Sequence, residues 1–149
     1  MVTQILVSMA ATMAFAVLFH VHKSEYLYCA GNGAVGWMVY SLCISYGAGA
    51  PTASIWASLS LTLVARALSA IRKMPSTIFL MTGIFSLVPG SGLYYTSYYL
   101  ILGDLAQFMA KGTETLKIAG AIVLGMIFGL VLPQTWFNQL GKLAAQLRK

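Results

Sequence analysis

The sequence has 149 residues, 59% hydrophobic and only 8% charged, with a mean hydropathy of +0.81 and a net charge of +6. Soluble domains carry about 25% charged residues, so a surface facing water on all sides is excluded. So is disorder, which requires low hydrophobicity. An integral membrane protein in contact with the lipid bilayer is the class that remains.

The first apolar stretch runs from Val2 to Val21, close to the ~20 residues that cross a ~30 Å hydrocarbon layer. No Lys or Arg precedes it, as a cleaved signal would require, so it is expected to stay as a transmembrane helix. The polar "HVHKSEY" follows, and a second span is predicted over residues 27–46. "GAGAP" forms a turn, with Pro51 placed to open a third span over 51–71. "RKMP" closes that helix, and an apolar pattern then continues from Ser76 to Met109, broken only at "PGSG". "KGTETLK" is expected to be a polar connection before a last span over 118–137, and the basic tail 138–149 has the pattern of an amphipathic surface helix. The prediction is an all-α transmembrane domain over 1–149, with about five spans, the fourth broken at Pro89–Gly92.

The nine Lys and Arg fall at the ends of these stretches in runs no longer than two, which is how topology is encoded. A nucleic-acid patch is not expected. With the N-terminus outside, Lys23, Arg72, Lys73 and the basic tail all face the cytoplasm of a cell membrane, provided residues 76–109 cross once. A re-entrant segment is the alternative.

A straight helix over 76–109 would be roughly 51 Å long at 1.5 Å per residue, too long for a single crossing. Pro89 removes a backbone donor, and Gly90 and Gly92 relax the backbone. A break in lipid is tolerated only where the freed groups are buried in protein or line a wet cavity. Transporters use such half-helix ends to bind anionic substrates. The candidate substrate site is therefore Pro89, Gly90, Ser91, Gly92, Tyr94 and Tyr95, with Tyr94/Tyr98 and Tyr95/Tyr99 as two aromatic stripes. The alternative is a simple kink with interfacial tyrosines.

Asp104 is either an ion-coupling carboxylate or a residue at the membrane edge. Arg66 either snorkels to the cytoplasm or meets a carboxylate. Two stripes of small residues, Gly31, Gly33 and Gly36 in the second span and Ala121, Gly125 and Gly129 in the last, suit close helix packing within or between subunits. Cys29 and Cys43 stand 14 positions apart, about 21 Å along a helix, too far to pair. His20 and His22 lack an acidic or Cys partner for a metal, and no motif of a hydrolase or a P-loop occurs. Neither a cofactor nor enzymatic activity is expected.

The blocks "AFAVLF", "AGNGAVGWMVY", "PSTIFLMTGIFSLVPGSGLYYT" and "GDLAQFMAKGTETLKIAGAIVLG" occur in an order that resembles the threonine/serine exporter family, in its small C-terminal-type module. The resemblance covers nearly the whole chain, and "PGSGLYYT" followed by "GD" and "ETL" is its most specific part. It implies secondary active export of small amino or carboxylic acids (threonine, serine or succinate) alongside a larger membrane subunit. A non-transporting scaffold or regulatory subunit is the alternative, and self-association stays open.

Overall fold

The computed structural model describes residues 2–137 and residue 139. Its elements are α1 (Val2–Leu18), a 3-10 turn (Lys23–Glu25), α2 (Tyr26–Ser45), α3 (Ala50–Arg72), α4 (Ser76–Ile84), α5 (Gly90–Ile101) and α6 (Leu105–Val131). There is no strand among the described residues. Three helices are long and apolar enough to cross a membrane: α2 with its preceding turn, α3 and α6. The apolar α1 is shorter, and α4 and α5 have only 9 and 12 residues.

Left-handed residues stop several helices. Gly47, at φ 85°, ends α2 while Ala48 N–H returns to the Cys43 carbonyl at 3.0 Å. Gly103, at φ 75°, does the same after α5, with Asp104 N–H on the Tyr99 carbonyl at 3.1 Å. Both are Schellman closures that satisfy terminal carbonyls, and glycine adopts this backbone without a Cβ clash.

Two expectations are corrected here. The "KGTETLK" segment is not a connection: α6 starts at Leu105 and runs through it without a break. Four of its polar side chains are met on the helix itself. Lys111 pairs with Glu114 at 3.2 Å, and the Thr113 and Thr115 hydroxyls donate back to the Met109 and Lys111 carbonyls. The last long helix therefore covers 105–131 rather than 118–137, and Pro133 lies just past its end. The apolar run 76–109 accordingly divides between α4, α5 and the first turn of α6. The tail 138–149 lies outside the described residues apart from Gln139.

Helix α3 is the centre of the bundle. It packs on α2, α4 and α6 and buries Ala53, Ser54, Ala57, Ser58, Leu61, Thr62, Ala65 and Arg66. Small residues set the approach. A Cβ at Gly125 would run into Ser58 Oγ and the Ile55 carbonyl, and one at Gly129 would lie 2.7 Å from Thr62 Cβ. These pairings advance together along both helices, so α3 and α6 run parallel. A Cβ at Gly33 would strike Thr12 of α1, and one at Gly36 would lie 2.9 Å from Leu61 Cδ1. Ala121 is also buried, but a Cβ at Gly31 would meet nothing within 4 Å. Gly31 thus makes no close contact within the chain, unlike Gly33 and Gly36. The seam hydroxyls of Thr12, Ser54 and Thr62 donate to carbonyls one turn back, so they add no unpaired donor to the contact.

Candidate functional site

The site is built around the interval between α4 and α5. Helix α4 closes with Ser86 N–H on the Gly83 carbonyl and Leu87 N–H on the Ile84 carbonyl at 2.9 Å. Pro89 then takes φ −76° and ψ 65°, while Gly90 N–H donates to the Val88 carbonyl at 2.8 Å. That geometry is an inverse γ-turn. It interrupts the helical hydrogen-bond series, and α5 starts at Gly90.

The turn leaves backbone groups unused on both sides. Leu93 N–H reaches the Pro89 carbonyl at 3.0 Å, but Ser91 and Gly92 N–H have no protein acceptor among the described residues. On the preceding side, the Val88 carbonyl is taken by Gly90, whereas the Leu87 carbonyl receives no backbone donor. Donors and an acceptor of opposite polarity therefore stand within six residues of one another.

A cavity of about 340 Å³ opens over this turn. Its wall is formed by Ser86 to Ser91, with Trp37 and Tyr40 of α2, Ser54 of α3 and Ile118 of α6. No charged side chain contributes to it. A second cavity of about 360 Å³ lies on the α1 side, lined by Gln4, Ser8, Phe85 and Ser86 among others, and it shares Trp37 and Ser86 with the first. Phe85 is held there by stacking on Phe15 of α1, with ring centroids 4.5 Å apart.

Of the residues singled out in the sequence, Pro89, Gly90 and Ser91 line the cavity. Gly92 turns instead toward α6, where a Cβ would collide with Thr115 Oγ1, so its missing side chain serves helix contact. Tyr94 and Tyr95 are corrected as well: they are 64% and 48% exposed and are not among the cavity residues. The reason is angular, since α5 buries none of its residues and directs its tyrosines outward. Tyr94 stacks on Tyr98 and Tyr95 on Tyr99, at 6.3 and 6.4 Å, as the two stripes imply. Asp104 is exposed at the far end of α5, where its Oδ1 accepts from Gln107 N–H at 3.1 Å and caps α6. It is thus outside the second half-helix.

Three features were not legible as functional from sequence. Trp37 and Tyr40 reach the cavity from α2, and their rings pack at 5.4 Å. Arg66 neither snorkels nor meets a carboxylate. It is buried, donates to the Gly129, Leu130 and Leu132 carbonyls and to Gln134, and lies 4.6 Å from the Phe137 ring centroid. Glu25 and Arg72 form a 2.6 Å ion pair, with the guanidinium 4.5 Å from the Tyr28 ring centroid. His20, His22, Cys29 and Cys43 are not gathered into a metal cluster among the described residues.

An all-helical bundle with three helices long and apolar enough to cross a membrane defines the class of a polytopic membrane protein. A family model described as "Threonine/Serine exporter, ThrE" matches residues 4–132, and the chain belongs to that family. Searches of curated proteins and of solved structures gave no match.

Proposed function

We propose that this chain is the membrane subunit of a secondary active exporter in which the α4–α5 turn holds a small zwitterionic amino acid. Membership in the threonine/serine exporter family makes it an exporter component. The observation that carries the finer reading is the pairing of a free donor at Ser91 with a free acceptor at Leu87, both lining one cavity, and the free Gly92 N–H follows Ser91 in the same first turn of α5. A carboxylate suits the N-terminal donors of α5, and an ammonium suits the Leu87 carbonyl. The uncharged wall favours a zwitterion. A dicarboxylate such as succinate would bring two negative charges to a site with no cation, and desolvating an uncompensated charge is costly.

The reading includes a larger membrane partner, supported by the outward tyrosines of α5 and the absence of any buried residue on that helix. Orientation follows from charge. Lys23, Arg72 and Lys73 gather at one end of the bundle through the Glu25–Arg72 pair, and that end is assigned to the cytoplasm. The N-terminus is then outside.

Two variants at one position test the site, in threonine-loaded cells that co-express the chain with its partner subunit. Ser91→Ala keeps the backbone N–H, so threonine efflux should stay within a few-fold of the parent. Ser91→Pro removes that N–H in the first turn, where proline is tolerated in a helix, and efflux should fall at least tenfold at equal membrane abundance. Equal efflux from both variants would overturn the site and favour a scaffold role.

A further inference from the structure

Among the described residues, four helices stop on a left-handed residue. Two of the stops are Gly47 and Gly103, and the other two are His20 after α1, at φ 54°, and Lys73 after α3, at φ 55°. Val21 N–H returns to the Ala16 carbonyl at 3.0 Å and Met74 N–H to the Ser69 carbonyl at 3.3 Å, the same closure that the glycines make. A residue with a Cβ is strained in this backbone, where glycine is not. Strain of this kind collects at functional positions.

Both basic stops stand at one end of the bundle, beside one groove. Val21 belongs to a buried apolar cluster on which Met74 and Ile78 pack, so the residues just before Val21 and Met74, His20 and Lys73, are brought to the same region. A groove of about 230 Å³ runs there between the end of α1 and α4, lined by Phe19, Val21, Thr77, Ile78 and Met81. Phe19 and Met81 are 42% and 56% exposed, so the groove opens on the outer surface of the bundle. Arg72 is committed to Glu25, whereas Lys73 is exposed and has no carboxylate partner among the described residues. His20 Nδ1–H donates to the Leu18 carbonyl at 3.1 Å, which leaves Nε2 as an acceptor.

We propose that this groove binds an anionic phospholipid. One acyl chain lies against Phe19, Ile78 and Met81, Lys73 pairs with the phosphate, and His20 Nε2 accepts from a headgroup hydroxyl. The groove is apolar where a chain would lie, and its cationic residue precedes Thr77 by four positions, where a phosphate would sit. The end assigned to the cytoplasm meets the leaflet that carries acidic lipid, and a lysine reaches headgroup depth by snorkelling. The inference stands on the membrane class and not on the zwitterion reading. Helix α4 runs from this groove toward the γ-turn, so a lipid held here braces the element that leads into the candidate site.

The test is thermal unfolding of the full chain, purified in an uncharged detergent, with dioleoylphosphatidylglycerol, dioleoylphosphatidylcholine or inorganic phosphate added. The melting temperature of the parent should rise by about 3 °C or more with the phosphatidylglycerol and stay unchanged with the other two. Lys73→Gly relieves the left-handed strain and removes the ammonium. It should melt higher than the parent without lipid, yet lose most of the rise with phosphatidylglycerol. Lys117→Gln removes an exposed charge near the opposite end of the bundle and should keep the full rise.

Equal rises with the two lipids, a full rise in Lys73→Gly, or an equal loss in Lys117→Gln would overturn the proposal. A rise with phosphate alone would assign a soluble anion in place of the lipid. A lower melting temperature of lipid-free Lys73→Gly would make the lysine structural, and the proposal would fall on that result too.

Discussion

Arg66 of α3 donates from Nη1 to the Gly129 carbonyl of α6 at 2.7 Å, and the same nitrogen reaches the Leu132 carbonyl at 2.7 Å. The terminal carbonyls of a helix lack partners within it and carry the negative end of its dipole. A guanidinium from the neighbouring helix meets both needs at once. Its charge is thereby shared among carbonyls rather than paired with an acid, while Gln134 Oε1 accepts from Nε at 3.0 Å. One residue thus ties the parallel helices α3 and α6 together at the end opposite the γ-turn cavity.

Arg66→Met should therefore destabilise the purified chain by about 2–4 kcal/mol, the scale of losing charge-assisted hydrogen bonds in a buried setting. Arg66→Lys should recover only part of this, because an ammonium cannot spread across the same fork of acceptors. Temperature-dependent loss of the monodisperse peak in size-exclusion chromatography reads the order: parent, Lys, Met. Equal stability of the parent and Arg66→Met would mean that the carbonyl contacts contribute nothing net.

The role of Arg66 also marks where sequence reasoning ran out. Spacing places it in the last turns of the third helix, but its partners, three backbone carbonyls and the Gln134 side chain, are 63–68 positions away and carry no sequence signature. The helical class, the turn at "GAGAP" and the cessation of helix before Pro89 follow from local composition. The α6 boundary did not, because a run of Lys, Thr and Glu looks like a loop until its side chains are seen to pair within the helix. At the site, proline and glycine chemistry pointed to a break over 89–92, whereas the chain leaves helix over 85–89 and Gly90–Gly92 already belong to the first turn of α5. Which α5 residues face the cavity depends on the rotation of a helix that packs on α6, and periodicity alone cannot supply that rotation. Trp37 and Tyr40 came into the site through tertiary contact with a separate helix.

The parallel contact of α3 and α6 yields a contrast among glycines. Gly125→Ala forces a Cβ against the Ile55 carbonyl and within 3.1 Å of the Leu59 nitrogen, backbone atoms that cannot step aside by a rotamer change. Overpacking of this kind costs about 1–3 kcal/mol. Gly31→Ala meets nothing within 4 Å and replaces a poor helix former, so it should be neutral or stabilise by up to about 1 kcal/mol. Thermal unfolding of the two variants side by side checks this, and a loss at Gly31 equal to that at Gly125 would contradict it.

The Glu25–Arg72 pair joins the turn before α2 to the last turn of α3, with Glu25 buried and bonded through both carboxylate oxygens. Removing one partner leaves the other uncompensated, which is worse than removing both. Glu25→Gln and Arg72→Met should each destabilise, and the double variant should lose less than the two losses added together. A double-mutant cycle on thermal stability should return a favourable coupling between the two positions. Strict additivity would show that the contact carries no energy.

Asp104 offers the last test, because capping and proton carriage make different demands on the same carboxylate. Its Oδ1 accepts from Gln107 N–H, and the residue sits at the opposite end of α5 from the γ-turn, roughly 18 Å along the helix axis at 1.5 Å per residue. Asparagine is as good an N-cap as aspartate but cannot titrate, whereas alanine loses the cap at a cost of about 1 kcal/mol. If capping is the role the geometry assigns, Asp104→Asn should retain both stability and threonine efflux across imposed proton gradients, and Asp104→Ala should lose stability alone. Loss of gradient-driven efflux in Asp104→Asn, with stability intact, would instead make this exposed carboxylate the coupling group.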